Sequence, residues 1–318
     1  MNVLSLFDGI SCARVALDRA SIKYSKYYAS EIDKYAIQVA KKNFSNTIHV
    51  GDVQLLNRSM LEDVDLIIGG SPCQDLSIAK ANRKGLGGER SGLFYEFVRL
   101  VNEIKPKYFI LENVASMSNE SKNIISKELF DIEPIMINAS LVSAQNRKRL
   151  FWVGRLENGG YKKVDVELPQ DKGIVLADIL EDSVDEKYIV NISDKHGMGV
   201  FAGLGKKVKA TAKEYKNDGV GVIRLGQIGN GGQGDRIYSI EGKSICLSAN
   251  GGGRGAKTGL YYIDGVIRKL TPIECERLQG LPADYTEGVS DTQRYKCIGN
   301  AFNVDVVSHI LTFLKRKK

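Results

Sequence analysis

The amino-acid sequence predicts an α/β protein with a mostly parallel sheet, joined to a smaller, β-leaning region. Three observations carry this expectation. Over the first 155 residues, short apolar strand patterns alternate with amphipathic helix patterns. Thirteen of the 33 glycines then lie between Gly219 and Gly259, where helix patterns stop and runs such as "RIYSI" and "SICLSA" are interleaved with "GNGGQG" and "NGGGRG". Helical periodicity returns near the C-terminus. A chain of 318 residues has room for two domains, or for one large domain with an insertion.

"NVLSLF" (2–7) reads as a buried strand, and "SCARVALDRA" (11–20) as a helix capped by Ser11. "YSKYYASE" (24–31) is the second strand, and Asp33 caps the helical "KYAIQVAKKNF". "TIHV" and "VDLIIGG" follow as strands. "GLFYEFVRLVNEI" carries apolar side chains at 93, 94, 97, 98, 100, 101 and 104, one face of a helix. "YFILEN" is the next strand, and "PIMINASL" and "RLFWVGRL" are two late strands joined by a polar loop. The glycine runs of 219–259 are interrupted by apolar strands, so they read as an ordered small domain rather than a linker. "TPIECERLQG" and "NVDVVSHILTFLKRK" read as helices, and no repeat suggests a solenoid.

Hydrophobic content of 43% and charged content of 26% are those of an ordinary globular protein. No apolar run approaches the roughly 20 residues of a membrane span. The run "VLSLF" is cut short by Asp8 and lacks a basic leader, so no signal peptide is expected. The five cysteines (Cys12, Cys73, Cys246, Cys275, Cys297) are odd in number and show no zinc-knuckle spacing, which reads as free thiols in a reduced compartment. The three histidines have no metal-ligand spacing, and no metal is expected. The net charge of +7 fits a polyanionic partner. Part of it is local, in Arg147-Lys148-Arg149 and in the tail Lys315–Lys318; the tail reads as a solvated end.

Ligands of parallel sheets bind beyond the carboxyl ends of the strands, so chemistry is expected there. "LFDGIS" puts Asp8 and Gly9 at the first strand-to-helix turn, without the Gly-x-Gly-x-x-Gly of a dinucleotide fold, and the chain has no Gly-Lys-Ser/Thr phosphate loop. Glu31 ends the second strand, 22 residues after Gly9, where an acid can bind ribose hydroxyls; Asp52 ends the third. Three acids at successive strand ends repel a triphosphate. They suit a ligand with hydroxyls, an amino group and positive charge, such as S-adenosylmethionine, although acids at strand ends also cap helices.

Cys73 stands behind Pro72 at the end of the fourth strand. Only a few per cent of an ordinary thiol is thiolate at neutral pH. A cysteine hydrolase would need a histidine base, and no histidine here lies in a suitable context. An inert buried cysteine is the plain alternative; the proline turn and the basic, glycine-rich loop that follow argue against it. Glu112 ends the fifth strand, as a helix cap or as an acid that protonates a substrate. "QNRKRLF" places Gln145, Arg147 and Arg149 at alternating positions, which on an extended segment face one way, as a salt-bridge ladder or as donors aimed at one ligand.

Together these stretches resemble the cytosine-5 DNA methyltransferases of bacterial and phage type, over nearly the whole chain. "LFDGIS" is similar to that family's first cofactor motif, with Ser11 in place of the second glycine. "GGSPCQDLS" resembles the Pro-Cys motif, "RSGLFYEF" the next motif, "ENV" (112–114) the catalytic glutamate motif, and "QNRKR" the Gln-x-Arg-x-Arg motif. "RKLTPIECERLQGLP" (268–282) resembles the motif framing the target-recognition region, and "YKCIGNAFNVDVV" the last motif.

The resemblance implies a Rossmann-like, S-adenosylmethionine-dependent methyltransferase domain over 1–156, completed by 283–318, and a target-recognition domain over 157–282. It implies a cofactor site of Phe7, Asp8, Gly9, Ile10, Ser11, Glu31, Ile32, Asp52, Val53, Gly70, Pro72, Leu93, Asn300, Ala301 and Phe302. Cys73 would add to carbon 6 of a cytosine. Glu112 would bond the ring nitrogen and amino group, and Arg147, with Gln145 and Arg149, would stabilise charge at the base carbonyl. The base must first leave the helix, at a cost of a few kcal/mol. Phosphate contacts offset this, and Ser77, Arg83, Lys84 and Arg90 lie on the loop expected to close over it. Base readers are expected among Arg224, Gln227, Asn230, Gln233, Arg236, Asn250 and Arg254, residue types suited to groove edges.

The implied partner is double-stranded DNA, with a cognate restriction endonuclease where the enzyme belongs to a restriction system. Monomeric action in the cytoplasm, associated with the nucleoid, is expected. An RNA methyltransferase of the same family and a non-catalytic DNA-binding regulator are the alternatives. The residues between the matched motifs (157–267) argue against the first, and the intact Cys73, Glu112 and Arg147 against the second.

Overall fold

The computed structural model describes residues 1–72, 91–190, 221–228, 232–251 and 253–315. The chain divides into two compact units. Met1–Ile137, Lys148–Leu168 and Val306–Lys318 form the first, and Asn138–Arg147 with Pro169–Asp305 form the second. These cuts fall at other places than the functional boundaries expected at 156 and 282. Residues 138–147 go with the second unit because Ser143 Oγ donates to Leu278 O (3.0 Å) and Asn146 N to Ser244 O (2.9 Å).

The first unit is built on an eight-stranded sheet. Its strands are β1 (Asn2–Leu6), β2 (Lys26–Ser30), β3 (Ile48–Gly51), β4 (Leu66–Gly70), β5 (Tyr108–Val114), β6 (Ile135–Asn138), β7 (Lys148–Glu157) and β8 (Gly160–Lys163). Their order is β3-β2-β1-β4-β5-β7-β6, with β8 paired to β7. β1 to β5 run parallel, and β7 is antiparallel to β5. Parallel strands are covered on both faces, so they read as continuous apolar runs. β1 and β4 accordingly have almost every residue buried.

Helices α1 (Cys12–Arg19), α2 (Lys34–Asn43), α3 (Phe94–Ile104) and α4 (Asn119–Glu128) lie between the strands in sequence. Asp33 caps α2 as expected, accepting from Tyr35 N at 2.9 Å. The apolar face of α3 (Phe94, Phe97, Val98, Leu100, Val101, Ile104) is buried in a core shared with Leu4, Ile67, Phe109, Leu111 and Trp152. Two glycines permit close packing there. A Cβ on Gly69 would lie 2.8 Å from Leu6 O, and one on Gly154 would lie 2.2 Å from the Phe109 ring.

The second unit holds a four-stranded sheet of β9 (Arg224–Gln227), β10 (Arg236–Tyr238), β11 (Leu260–Ile263) and β12 (Val266–Arg268), in the order β12-β11-β10-β9. It also holds helices α5 (Pro272–Leu278) and α6 (Asp291–Asn300). Thr271 and Glu274 form a capping box at the start of α5, with Pro272 in its first turn. Glu274 also takes both terminal nitrogens of Arg268, at 2.7 and 2.8 Å, with both side chains buried.

"SICLSA" is not a ladder strand; it carries only an isolated bridge from Ser244 to Gln145. Leu247 N goes to Gln145 Oε1, Ile245 N to Tyr261 Oη and Ser248 N to Lys257 O, so these amides bond to side chains and loops. The last helix, α7 (Val304–Leu314), starts in the second unit and returns to the first, where Tyr108 Oη donates to Leu314 O at 2.8 Å. The stretch Asp291–Leu314 has the length and apolar composition of a membrane span, but 72% of its most apolar window is buried inside the protein. This is the mark of a core element.

Candidate active site

The strand order reverses between β1 and β4, which makes their carboxyl ends the switch point where sheets of this kind bind ligands. Leu6 pairs with Gly69 at that point. After β1 the backbone takes a sharp turn, with Phe7 (φ 55°), Gly9 (φ 60°) and Ser11 (φ 61°) all left-handed. That conformation favours glycine and strains Phe and Ser.

It also decides what Ser11 does. Ser11 sits at the N-cap of α1 but makes no side-chain cap bond. Its hydroxyl instead donates to Asp8 Oδ2 at 2.6 Å, which corrects the expectation of a capping serine. Tyr27 Oη donates to Asp8 Oδ1, also at 2.6 Å. Asp8 is buried, and burial pushes its carboxyl up to about 6 against the opposing pull of the Ser11, Ser5 and Tyr27 hydroxyls. Both Asp8 carboxyl oxygens are thus engaged by hydroxyls of the fold itself.

Glu31 ends β2 as a half-buried acid. Its Oε2 accepts from Gly9 N (2.8 Å), and its Oε1 from Ile32 N (2.7 Å) and Asp33 N (2.8 Å). These bonds orient the carboxylate and tie the β1 and β2 ends together. Ile32, beside it, is 72% exposed, an apolar side chain left in solvent at a strand end. Asp52 follows β3 and is half-buried, with Oδ1 accepting from Gln54 N at 3.0 Å. Ile10 and Val53 are buried, so any ligand contact there falls to their main chain. Two carboxylates and an exposed apolar side chain at neighbouring strand ends could hold an adenosine-bearing ligand: carboxylates for hydroxyl and amino groups, Ile32 for a ring face.

On the other side of the switch point, Gly70 pairs with Glu112. Ser71 is buried and accepts from Asn113 Nδ2 at 3.1 Å, which fixes the chain as it leaves β4. Asn113 stands inside "ENV", but no local signal marks it for this role, because its partner is 42 residues away in the chain. Pro72 is half-buried; Cys73 follows it directly and lies outside the described residues, as do Ser77, Arg83, Lys84 and Arg90. Leu93 is half-buried against the first unit's core.

Glu112 Oε1 meets Arg149 Nε at 2.8 Å, with both side chains mostly buried. Arg149 lies on β7, where Phe151 is the residue opposite Glu112. Arg149 is thus its diagonal neighbour on the same face, within reach of a long side chain.

The expected single row of Gln145, Arg147 and Arg149 does not form. In the second unit, Gln145 is fully buried, and its Nε2 reaches Leu278 O (3.4 Å) and Gln279 Oε1 (3.3 Å). Arg147 is 4% exposed, with its Nη2 donating to Ala301 O (2.9 Å) and Gly299 O (3.2 Å). The arginine beside the strand-end glutamate is Arg149, not Arg147. Residues 144–147 are irregular and β7 begins only at Lys148, so strand alternation does not extend across all three.

Asn300 is exposed at the end of α6, Ala301 is buried and Phe302 is half-buried. Of the expected base readers, Arg224 and Gln227 bond each other across the length of β9. Arg236 starts β10 half-buried, and Asn250 and Arg254 are exposed. Asn230 and the side chain of Gln233 lie outside the described residues.

The strand order, with antiparallel β7 set beside β5, defines the class of fold: a doubly wound, mostly parallel α/β sheet with its switch point between β1 and β4. Within that class, the chain belongs to the C-5 cytosine-specific DNA methylase family, which it matches over residues 1–316. Type II methyltransferase M.HhaI of Haemophilus parahaemolyticus is 32% identical over 320 residues, covering 98% of this chain and 93% of the relative. Type II methyltransferase M1.ScrFI of Lactococcus lactis subsp. cremoris is 31% identical over 320 residues, covering 97% of this chain and 76% of the relative. Among solved structures, the Entamoeba histolytica methyltransferase EhMeth aligns with a TM-score of 0.71 at 19% identity, over 99% of this chain and 97% of that one, a likeness of fold.

Proposed function

We propose that this DNA (cytosine-5)-methyltransferase acts on a specific sequence in duplex DNA, through a covalent adduct between Cys73 and carbon 6 of a flipped cytosine. The observation that carries the reading is the Glu112–Arg149 pair at the end of β5, beside the strand that leads into Pro72-Cys73. S-adenosylmethionine is the proposed donor and, when bound, supplies an electrophilic methyl group. Glu31 and Asp52 would take its hydroxyl and amino groups, and Ile32 would offer its apolar side chain to the ring. The family's last motif assigns Asn300, Ala301 and Phe302 to the same ligand.

Carbon 5 of cytosine is too weak a nucleophile to take a methyl group unaided. Addition of the Cys73 thiolate to carbon 6 raises the electron density at carbon 5. Glu112 holds a proton at the ring nitrogen and orients the amino group. Arg149 keeps the Glu112 carboxyl in place and would bring its guanidinium to the base carbonyl oxygen. Carbon 5 would then take the sulfonium methyl, the S–C bonding pair staying on the donor as a neutral thioether. The carbon 5 proton would pass to water, the electron pair of that C–H bond would re-form the carbon 5–carbon 6 double bond and expel the Cys73 thiolate, and the ring-nitrogen proton would return to Glu112.

Duplex DNA is the proposed partner, held by phosphate contacts that salt weakens. Cytoplasmic, nucleoid-associated, monomeric action without a metal is proposed with it. A cognate endonuclease would accompany the protein in a restriction system.

Bisulfite sequencing of DNA from a host expressing the protein tests both reaction and target. Protected cytosines at one recurring sequence are expected, and none with Cys73→Ser. Methylation of tRNA without methylation of duplex DNA would overturn the proposal.

A further inference from the structure

We infer that Arg147 is a positioning residue: its guanidinium caps the C-terminal end of α6 and ties that end to segment 246–249, holding the Asn300–Phe302 turn in one arrangement. What the turn does for the methyl donor rests on the proposed function; the joint itself does not.

A helix leaves its last carbonyls without partners inside the helix, and the partial negative charge there favours a cation. Arg147 Nη2 donates to two such oxygens, Gly299 O (3.2 Å) and Ala301 O (2.9 Å). Its Nη1 lies 3.4 Å from Leu247 O and 3.5 Å from Cys246 Sγ. A planar guanidinium can serve two segments at once because its donors diverge at fixed angles; an ammonium has no such fork. The main chain of Arg147 is anchored as well, with its N–H donating to Asn138 Oδ1 (2.9 Å) and its carbonyl accepting from Ala139 N (3.0 Å).

Two independent features converge on the same joint. Gln145 Oε1 accepts from Leu247 N (3.2 Å), its Nε2 reaches Gln279 Oε1 (3.3 Å), and Gln279 Nε2 donates to Ile298 O (2.9 Å). On the far side, a Cβ on Gly299 would fall 2.5 Å from Ala249 N and 2.6 Å from the Ser248 carbonyl carbon, so the helix end and the 248–249 backbone touch. The turn beyond is held at its other end by Asn303 Nδ2, which donates to Leu278 O at 3.0 Å. Of the four residues from Gly299 to Phe302, Asn300 is exposed, Phe302 is half-buried and the other two are buried.

Arg147→Met, Arg147→Lys and Gly299→Ala test this, with Arg149→Lys for contrast. Three quantities are measured: amide hydrogen exchange of 298–303 in the ligand-free chain, the dissociation constant for S-adenosylmethionine, and the single-turnover methylation rate of duplex DNA at saturating donor. Arg147→Met and Gly299→Ala should each speed exchange at 299–303 and raise the donor dissociation constant by about tenfold or more. The saturated single-turnover rate should stay within about threefold of wild type. Arg147→Lys should recover part of the loss, and Arg149→Lys should show the reverse pattern, with the rate reduced and donor affinity kept.

Unchanged exchange at 299–303 in Arg147→Met would overturn the joint. Unchanged donor affinity with a rate reduced roughly a hundredfold would place Arg147 on the base instead. Global unfolding of Arg147→Lys would make it a general stability element and sink the positioning claim. A wild-type chain that bound no donor would overturn the methyl-transfer reading alone, leaving exchange to decide the joint.

Discussion

Arg149 Nε lies 2.8 Å from Glu112 Oε1, and the two side chains are 16% and 14% exposed. The pair joins β5 to β7 at the end of the sheet where the chain turns towards Cys73. A charge-assisted bond this sheltered from water is stronger and better oriented than a surface ion pair. It holds a carboxyl at a defined place on a sheet edge, which a proton-handling group requires.

Methyl transfer should therefore depend on both members. Glu112→Gln keeps shape but loses the proton site, and Arg149→Ala leaves the carboxyl without its partner. Each should reduce the single-turnover rate by roughly a hundredfold or more. Donor affinity, measured by calorimetry, should hold in both.

Asp8 confers a pH dependence on stability. Its carboxyl titrates near 6 in the folded chain and near its ordinary value, below 4, when unfolded. Between those values the folded state holds a proton that the unfolded state has released. Stability from this group is thus fully present below pH 4, is lost as pH rises towards 6, and is flat above. The total is on the order of 3 kcal/mol. Melting curves of Asp8→Asn should lack this component: the wild-type-minus-variant difference should fall between pH 4 and 6 and then level off. A difference that rose over that window would reject the assignment.

Gly154→Ala should destabilise the first unit. The new Cβ would lie 2.2 Å from the Phe109 ring, which cannot swing away because it packs edge-on against Phe97 and Tyr161. Overpacking of this kind costs about 1–3 kcal/mol, a fall of several degrees in melting temperature for a domain of this size. A melting temperature equal to wild type would show that the sheet can yield there.

The Arg268–Glu274 pair should behave as a buried ion pair does. Arg268→Met strands a fully buried carboxylate, and Glu274→Gln leaves a buried guanidinium underpaired; each should cost about 3–5 kcal/mol. The double variant should lose less than the two single losses added together, because neither charge is then left alone. Urea denaturation of the four proteins gives the coupling directly.

Much of the fold was legible because parallel strands carry their own signal. β1, β2, β4, β5 and β7 begin and end within about two residues of their apolar runs, and α3 falls on its apolar stripe. Asp33 was readable as a cap because the bond is local. α4 was not seen, because its mixed sequence "NESKNIISKE" presents only a weak apolar face. β11 and β12 are four and three residues long, too short for a period to register. "SICLSA" looked like a strand, since nothing local reveals that its amides go to Gln145 and Tyr261.

The sequence by itself determined the class of fold, the family and the residues that gather at strand ends. All of these rest on local patterns and on the order of motifs. Only the tertiary structure decided how those residues are used. It buried the Asp8 carboxylate under two hydroxyls, turned Ser11 from a cap into a brace, and gave Glu112 to Arg149 while Arg147 went to the end of α6. The physical reason is that a side chain's direction follows from backbone conformation. Alternation fixes direction only within a regular strand, and both the Phe7–Ser11 turn and the 144–147 segment lie outside one.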